Sequence, residues 1–199
     1  MMKMEMQGII EAFTILFVIM DPIGNLPLFI GLTKGIPIKV IKKIANRAVF
    51  VAGFLLFIFL FLGLRILEFF SINLNSFQIA GGIILLIMGI FYVFGISMKY
   101  VKSDTADLSV PVGTPLLTGP GAITTIIILV NEKGILVTVI AAFLTLFATW
   151  VILQNSSKLY KILGEHWTNV ISRVMGLILA AIAVEFIVKG ILNIIVRIQ

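Results

Sequence analysis

Apolar residues run in six long blocks, near residues 8–32, 48–70, 76–98, 110–131, 135–154 and 170–192, separated by short polar stretches. A helix that crosses a bilayer needs about 20 mostly apolar residues, and each block meets that length. The second (VFVAGFLLFIFLFLGL), third, fifth and sixth blocks read as continuous helices. The first is interrupted by Asp21-Pro22-Ile23-Gly24-Asn25-Leu26-Pro27, and the fourth by Pro115-Leu116-Leu117-Thr118-Gly119-Pro120-Gly121. The pattern predicts an all-α polytopic membrane protein of six transmembrane helices, the first and fourth discontinuous.

The interruptions are the informative part. Irregular backbone in hydrocarbon leaves N–H and C=O groups without partners, at several kcal/mol each. Such a break persists where protein, water or a ligand satisfies it. Paired Pro/Gly interruptions at corresponding places in two halves point to a transporter binding site. The half-helix after each break would aim its N-terminal N–H groups at that site, a cradle for a carboxylate. Pro22, Pro27, Pro115 and Pro120 are the helix-breaking residues. Asp21 is a carboxylate near mid-membrane, able to hold an ammonium, Na⁺ or a proton; it is equally an N-cap followed by Pro at the first helical position, and the two roles can coexist. Asn25, Thr118, Thr124 and Thr125 add uncharged donors and acceptors, with back-bonding to the helix the competing role for Thr124 and Thr125. Gly24, Gly119 and Gly121 give the backbone room to approach a ligand.

Composition narrows the class. Hydrophobic residues make up 60% of the 199 and charged residues 12%, with mean hydropathy +1.19. A soluble domain carries about a quarter charged residues, so the bilayer has to be the solvent. The net charge of +6 gathers around a few connections instead of forming a nucleic-acid face with interleaved aromatics. Lys34, Lys39, Lys42, Lys43, Arg47, Lys99, Lys102, Lys158 and Lys161 fall in connections 33–47, 99–109 and 155–169, with Arg173 close by. Only Lys3, Arg65, Lys133, Lys189 and Arg197 fall on the other side. Positive charge marks the cytoplasmic face, which predicts both termini outside. The N-terminal stretch lacks a small-x-small cleavage site and reads as a retained first helix.

The chain also repeats itself weakly. Lys34-Gly35-Ile36 with Val40-Ile41 recurs as Lys133-Gly134-Ile135 with Val139-Ile140, and Asn75, Gly82 and Ile83 match Asn169, Gly176 and Leu177 at an offset of 94. Three spans per half force the second half to insert upside down. The expected organisation is a first three-helix repeat at 1–98, an inside linker at 99–109 and an inverted second repeat at 110–199.

Other features read as structural. Glu185 and Lys189, four apart on the last helix, suit an ion pair; Glu11 lies just inside the outer boundary, interfacial or partnered. Arg65 and Arg173 can snorkel to headgroups. The faces Gly82/Gly89 and Gly176/Ala180/Ala183 suit close helix contact. Enzyme signals are missing: no HExxH, no G-x-S-x-G, no Walker A loop, no cysteine, and one histidine, His166, in an expected loop. No metal site or cofactor is expected beyond coupling to Na⁺ or H⁺, for which Asp21 is the candidate ion or proton site.

The two broken segments, Asp21-Pro22-Ile23-Gly24-Asn25-Leu26-Pro27-Leu28-Phe29 and Thr114-Pro115-Leu116-Leu117-Thr118-Gly119-Pro120-Gly121-Ala122-Ile123-Thr124-Thr125, strongly resemble the paired signatures of the MarC family. The resemblance covers essentially the whole chain. It implies a six-span plasma-membrane protein with both termini outside. Relatives of the SnatA type are similar to transporters of small neutral amino acids such as glycine and alanine, driven by an ion gradient. Carried onto this sequence, the implied ligand contacts are Asp21, Gly24 and Asn25 in the first motif and Thr118, Gly119, Gly121 and Thr124 in the second. The leading expectation is an ion-coupled, alternating-access transporter of small neutral amino acids, its partners a small solute and the lipid bilayer. A drug or metabolite exporter of the same architecture and a non-transporting membrane subunit stand as rivals.

Overall fold

The computed structural model describes residues 2–26, 29, 30, 33, 36–95 and 117–198. Its helices are α1 (Met2–Met20), α2 (Ile38–Phe69), α3 (Leu74–Phe94), α4 (Pro120–Lys133), α5 (Ile135–Gln154) and α6 (Ser156–Ile198); no strand occurs among the described residues. Among the described residues four stretches, Ile38–Phe69, Leu74–Phe94, Ile135–Gln154 and Asn169–Val196, are long and apolar enough to cross a bilayer. Their outer faces display large apolar side chains: Phe50, Phe54 and Phe61 on α2, Phe143 and Phe147 on α5, Leu177 and Leu192 on α6. So much open apolar surface suits lipid and not water.

Two expected connections turn out to be helical. The basic stretch 33–47 becomes helix from Ile38 onward. Ile44, Ala45 and Ala48 are buried at helical spacing while Lys39, Lys42, Lys43 and Arg47 stay exposed, so the cations that suggested a loop form the polar face of an amphipathic stripe. The 32 residues of α2 rise about 48 Å, well beyond a hydrocarbon core of about 30 Å. Trp150 Nε1 donates to Asn46 Oδ1 at 2.8 Å and Gln154 Nε2 to Lys42 O at 3.0 Å, tying this extension to the end of α5. The stretch 155–169 is likewise helical, interrupted by a kink at Gly164 (φ 70°). Asn155 accepts Lys158 N and Leu159 N through its carbonyl, and Ser156 is buried, so the chain restarts a helix immediately after α5. His166 therefore stands on α6, exposed and edge-on to Trp167. The expected linker 99–109 lies outside the described residues.

α3 and α6 make the closest helix contact, and small residues explain it. A Cβ on Gly89 would stand 2.9 Å from Gly176 O and Ala180 N; on Gly82, 2.9 Å from Ala183 O; on Gly190, 2.9 Å from Asn75 O. Partners that descend one helix while ascending the other make the pair antiparallel. Without a side chain at these positions the backbones approach to van der Waals distance, the main attraction available between helices in lipid.

The core belongs to α4. Gly121, Ala122 and Thr124 through Leu129 are all buried. Ile127 packs on Gly63 of α2, Thr124 on Gly81 of α3, and Gly121 lies under Leu85 of α3 with Ile19 of α1 beside it. At 14 residues, about 21 Å of rise, α4 is too short to cross alone.

Among the described residues two ion pairs decorate the ends. Lys133 Nζ meets Glu11 Oε2 at 2.8 Å, which gives Glu11 its partner, and Lys189 meets Glu185 at 3.6 Å as the spacing suggested. Exposed pairs contribute little. Glu11→Gln is expected to lower thermal stability in detergent by less than about 1 kcal/mol, read as an unchanged or marginally lower melting temperature.

Candidate functional site

Apolar α1 runs to Met20, where the chain turns. Asp21 N still donates to Phe17 O at 2.9 Å, but Asp21 itself takes φ 36°, the left-handed region that Asp tolerates better than most residues. Its side chain then starts the next helical segment: Oδ1 accepts Gly24 N at 2.9 Å, three residues on, with Pro22 in the first helical position, the N-cap arrangement. Asn25 N donates to Asp21 O, Phe29 N to Asn25 O and Thr33 N to Phe29 O, each four residues apart. Asp21 therefore both ends one helix and caps another. Its second oxygen, Oδ2, is buried with no hydrogen-bond partner among the described residues.

Neighbouring side chains close the break. Asn25 Nδ2 donates to Met20 O at 3.0 Å, satisfying a carbonyl that the break would orphan. Tyr92 of α3 donates its hydroxyl to Asn25 Oδ1 at 3.3 Å, and Ser172 of α6 donates to Gly24 O at 3.3 Å. A Cβ on Gly24 would collide with the Asp21 carboxylate and stand 2.6 Å from Ser172 Oγ, so only glycine fits there.

The second break is built differently. Gly119 (φ −72°, ψ 178°) is the N-cap of α4, Pro120 follows it, and no side chain caps the helix. Ile123 N donates to Gly119 O at 3.2 Å as the first helical bond. Thr118 donates its hydroxyl to Ala52 O of α2 at 3.0 Å, and Thr124 donates to Pro120 O at 2.9 Å, so both hydroxyl protons serve the backbone. Thr125 does not back-bond; its Oγ1 is buried without a partner among the described residues. Thr118→Val is expected to cost about 1 kcal/mol, the net worth of one hydrogen bond, seen as lower resistance to unfolding in detergent.

The two breaks lie side by side. A Cβ on Gly121 would stand 3.7 Å from Ile19 Cγ2, two residues before Asp21, and directly against Leu85 of α3. Asp21, Asn25, Gly119, Gly121, Thr118, Thr124 and Thr125 are all buried and Gly24 is half-buried. Pro22 and Pro120 take their expected places; Pro27 and Pro115 lie outside the described residues. Tyr92 and Ser172 were not singled out from sequence. Their only signal is position: three residues past Gly89 and four before Gly176, on the two glycine faces.

Electrostatically the breaks are opposites. The first offers a carboxylate oxygen. The second offers an uncapped helix start, where aligned peptide dipoles favour negative charge. Chemically the pair offers a carboxylate oxygen at one break and the positive end of a helix dipole at the other.

Apolar spanning helices with a buried polar break define an integral membrane protein. Residues 6–195 match the MarC family of integral membrane proteins, and the chain belongs to that family. It is 35% identical over 191 residues to a UPF0056 membrane protein of Archaeoglobus fulgidus, covering 90% of each chain. It is 36% identical over 193 residues to the UPF0056 inner membrane protein YhgN of Escherichia coli, covering 94% of this chain and 97% of that one. With the UPF0056 membrane protein YvbG of Bacillus subtilis it shares 35% over 200 residues, covering 92% and 93%. No solved structure matches.

Proposed function

We propose that this protein is a secondary transporter of small neutral amino acids of glycine or alanine size, working by alternating access in the plasma membrane. The observation that carries the reading is the opposed polarity of two adjacent breaks: the partnerless Asp21 Oδ2 on one and the uncapped start of α4 on the other. Asp21 takes the ammonium, or the coupling ion or proton beside it. The Gly121 and Ala122 N–H groups take the carboxylate. Close walls of Gly24, Asn25, Gly119, Gly121 and Thr124 favour a small zwitterion; a bulky apolar drug wants a larger aromatic pocket.

The chain is read as two inverted three-helix repeats, 1–98 and 110–199, joined by 99–109. The α3–α6 contact supports this: moving each residue by 94 sends Gly82 to Gly176 and Ala183 to Gly89, so the contact of Gly82 with Ala183 becomes that of Gly176 with Gly89, which is also made. Halves related in this way can exchange conformations and open alternately to the two sides. The basic residues of 33–47, 99–109 and 155–169 favour both termini outside, and the inner membrane named for the Escherichia coli relative supports the plasma membrane.

The test is uptake of labelled glycine or alanine into proteoliposomes with an imposed Na⁺ or proton gradient. Gradient-stimulated accumulation is expected. Absence of flux for every small amino acid, in protein that is folded and monodisperse, overturns the reading.

A further inference from the structure

Three side-chain atoms among the described residues are buried without a hydrogen-bond partner: Asp21 Oδ2, Thr125 Oγ1 and Gln78 Nε2. The first belongs to the site above. The other two take no part in the hydrogen bonds that hold the breaks: Thr125 is among the expected site residues, while Gln78, 4% exposed on α3, has no role in the sequence reading. A buried polar group left unpaired destabilises the fold, so two on facing helices ask for a reason.

Their positions supply one. α4 meets α3 where Gly121 lies under Leu85 and Thr124 under Gly81, and it meets α1 at Ile19. Successive residues turn by about 100° around a helix. Going round α4, Ile127 faces α2, Thr124 faces α3, Gly121 faces α3 and α1, and Thr125 comes next, towards α1. Round α3, Gly81 faces α4 and Gly82 faces α6; Gln78, three and four residues earlier, projects between those two directions. Both groups therefore enter the same junction of α1, α3, α4 and α6, and Asp21 stands further along it. Measured from Gly121, Thr125 lies roughly 6 Å and Gln78 roughly 10 Å along the helix axis, both towards the N-terminal ends of α1 and α3. On the opposite side of the breaks the junction is closed by Tyr92 on Asn25 and Ser172 on Gly24.

We propose that Thr125 and Gln78 line the path by which a small polar solute reaches the two breaks from the face carrying the chain's N-terminus. This rests on the transport reading. The Gln78 amide is the first donor a carboxylate meets on entry, the Thr125 hydroxyl donates or accepts one step further, and the start of α4 receives the carboxylate at the end. Amide and hydroxyl carry no charge, so they guide a zwitterion without holding it, as a route must.

The chain has no cysteine, so single cysteines report directly. Gln78→Cys, Thr125→Cys and, as control, Ile127→Cys, which is equally buried but packed on Gly63 of α2, are treated with a membrane-impermeant cationic thiol reagent added from either side of oriented vesicles. The expected result is labelling at 78 and 125 from the N-terminal face, none at 127, and labelling at 125 slowed roughly tenfold by glycine or alanine at ten times its dissociation constant. Labelling at 78 and 125 without any amino-acid flux would keep the polar path and sink the proposed substrate. Flux retained in folded variants with no labelling at either position would overturn the path and leave the transport reading standing. Equal labelling at 127 would also overturn it, because the reagent would then be reporting general opening of the bundle.

Discussion

Asp21→Asn is expected to leave the fold intact and to lower gradient-driven glycine or alanine uptake by roughly 10- to 150-fold, the worth of one charged hydrogen bond. The substitution separates two jobs held by one side chain. Asparagine keeps an oxygen for Gly24 N, which Asp21 Oδ1 now accepts at 2.9 Å, so the second helical segment keeps its cap. It puts an amide donor where Oδ2 stood, and a donor facing an ammonium repels it. Asp21→Ala removes the cap as well and is expected to lose a further 1 kcal/mol or about that in stability. Unchanged uptake in Asp21→Asn, measured in proteoliposomes beside unchanged melting, would leave Asp21 a cap and nothing more.

The largest loss of stability is expected from Gly176→Val. A Cβ there would stand 2.7 Å from Tyr92 Cβ and 2.9 Å from both Gly89 O and Val93 N. Two of those three neighbours are backbone of a packed helix, which cannot rotate out of the way as a side-chain tip does. Overpacking of this kind costs about 3 kcal/mol, and here it would also displace Tyr92 from Asn25. Unfolding in detergent, followed by the fluorescence of the two tryptophans, should shift accordingly. Gly8→Ala is the contrast: its Cβ would make an ordinary 3.6 Å contact with Val137 Cγ1, and relief of glycine's backbone entropy should leave it neutral or about 0.5–1 kcal/mol more stable. Equal effects from the two would remove close packing of α3 on α6 as the explanation.

Much of this was legible in the chain because membrane helices are specified by composition over about 20 residues, with little help from neighbours. The block at 135–154 and α5 coincide. Both breaks were marked by Pro and Gly, whose backbone constraints act locally, so Asp21-Pro22 and Gly119-Pro120 announced two helix starts before any packing was known. Charged segments were harder. Four cations between residues 39 and 47 look like a loop until one sees that Ile44, Ala45 and Ala48 face the protein. Hardest of all were single polar residues whose meaning depends on a partner helix. Thr124 and Thr125 are neighbours of one type, yet one bonds its own helix and the other finds no partner among the described residues; no local signal separates them. Gln78, Tyr92 and Ser172 matter because α3, α4 and α6 happen to converge, which is a tertiary fact.

The enclosure of α4 has a further consequence. Membranes of different thickness act on helices that touch acyl chains, tilting them or drawing lipid in at modest cost per ångström. Between Gly121 and Leu129, α4 is walled in by other helices. Its depth is set by protein alone, so thinner or thicker bilayers reach the second break only as far as α1, α2 and α3 transmit their own tilt, and the geometry of that break is insulated from the lipid around it.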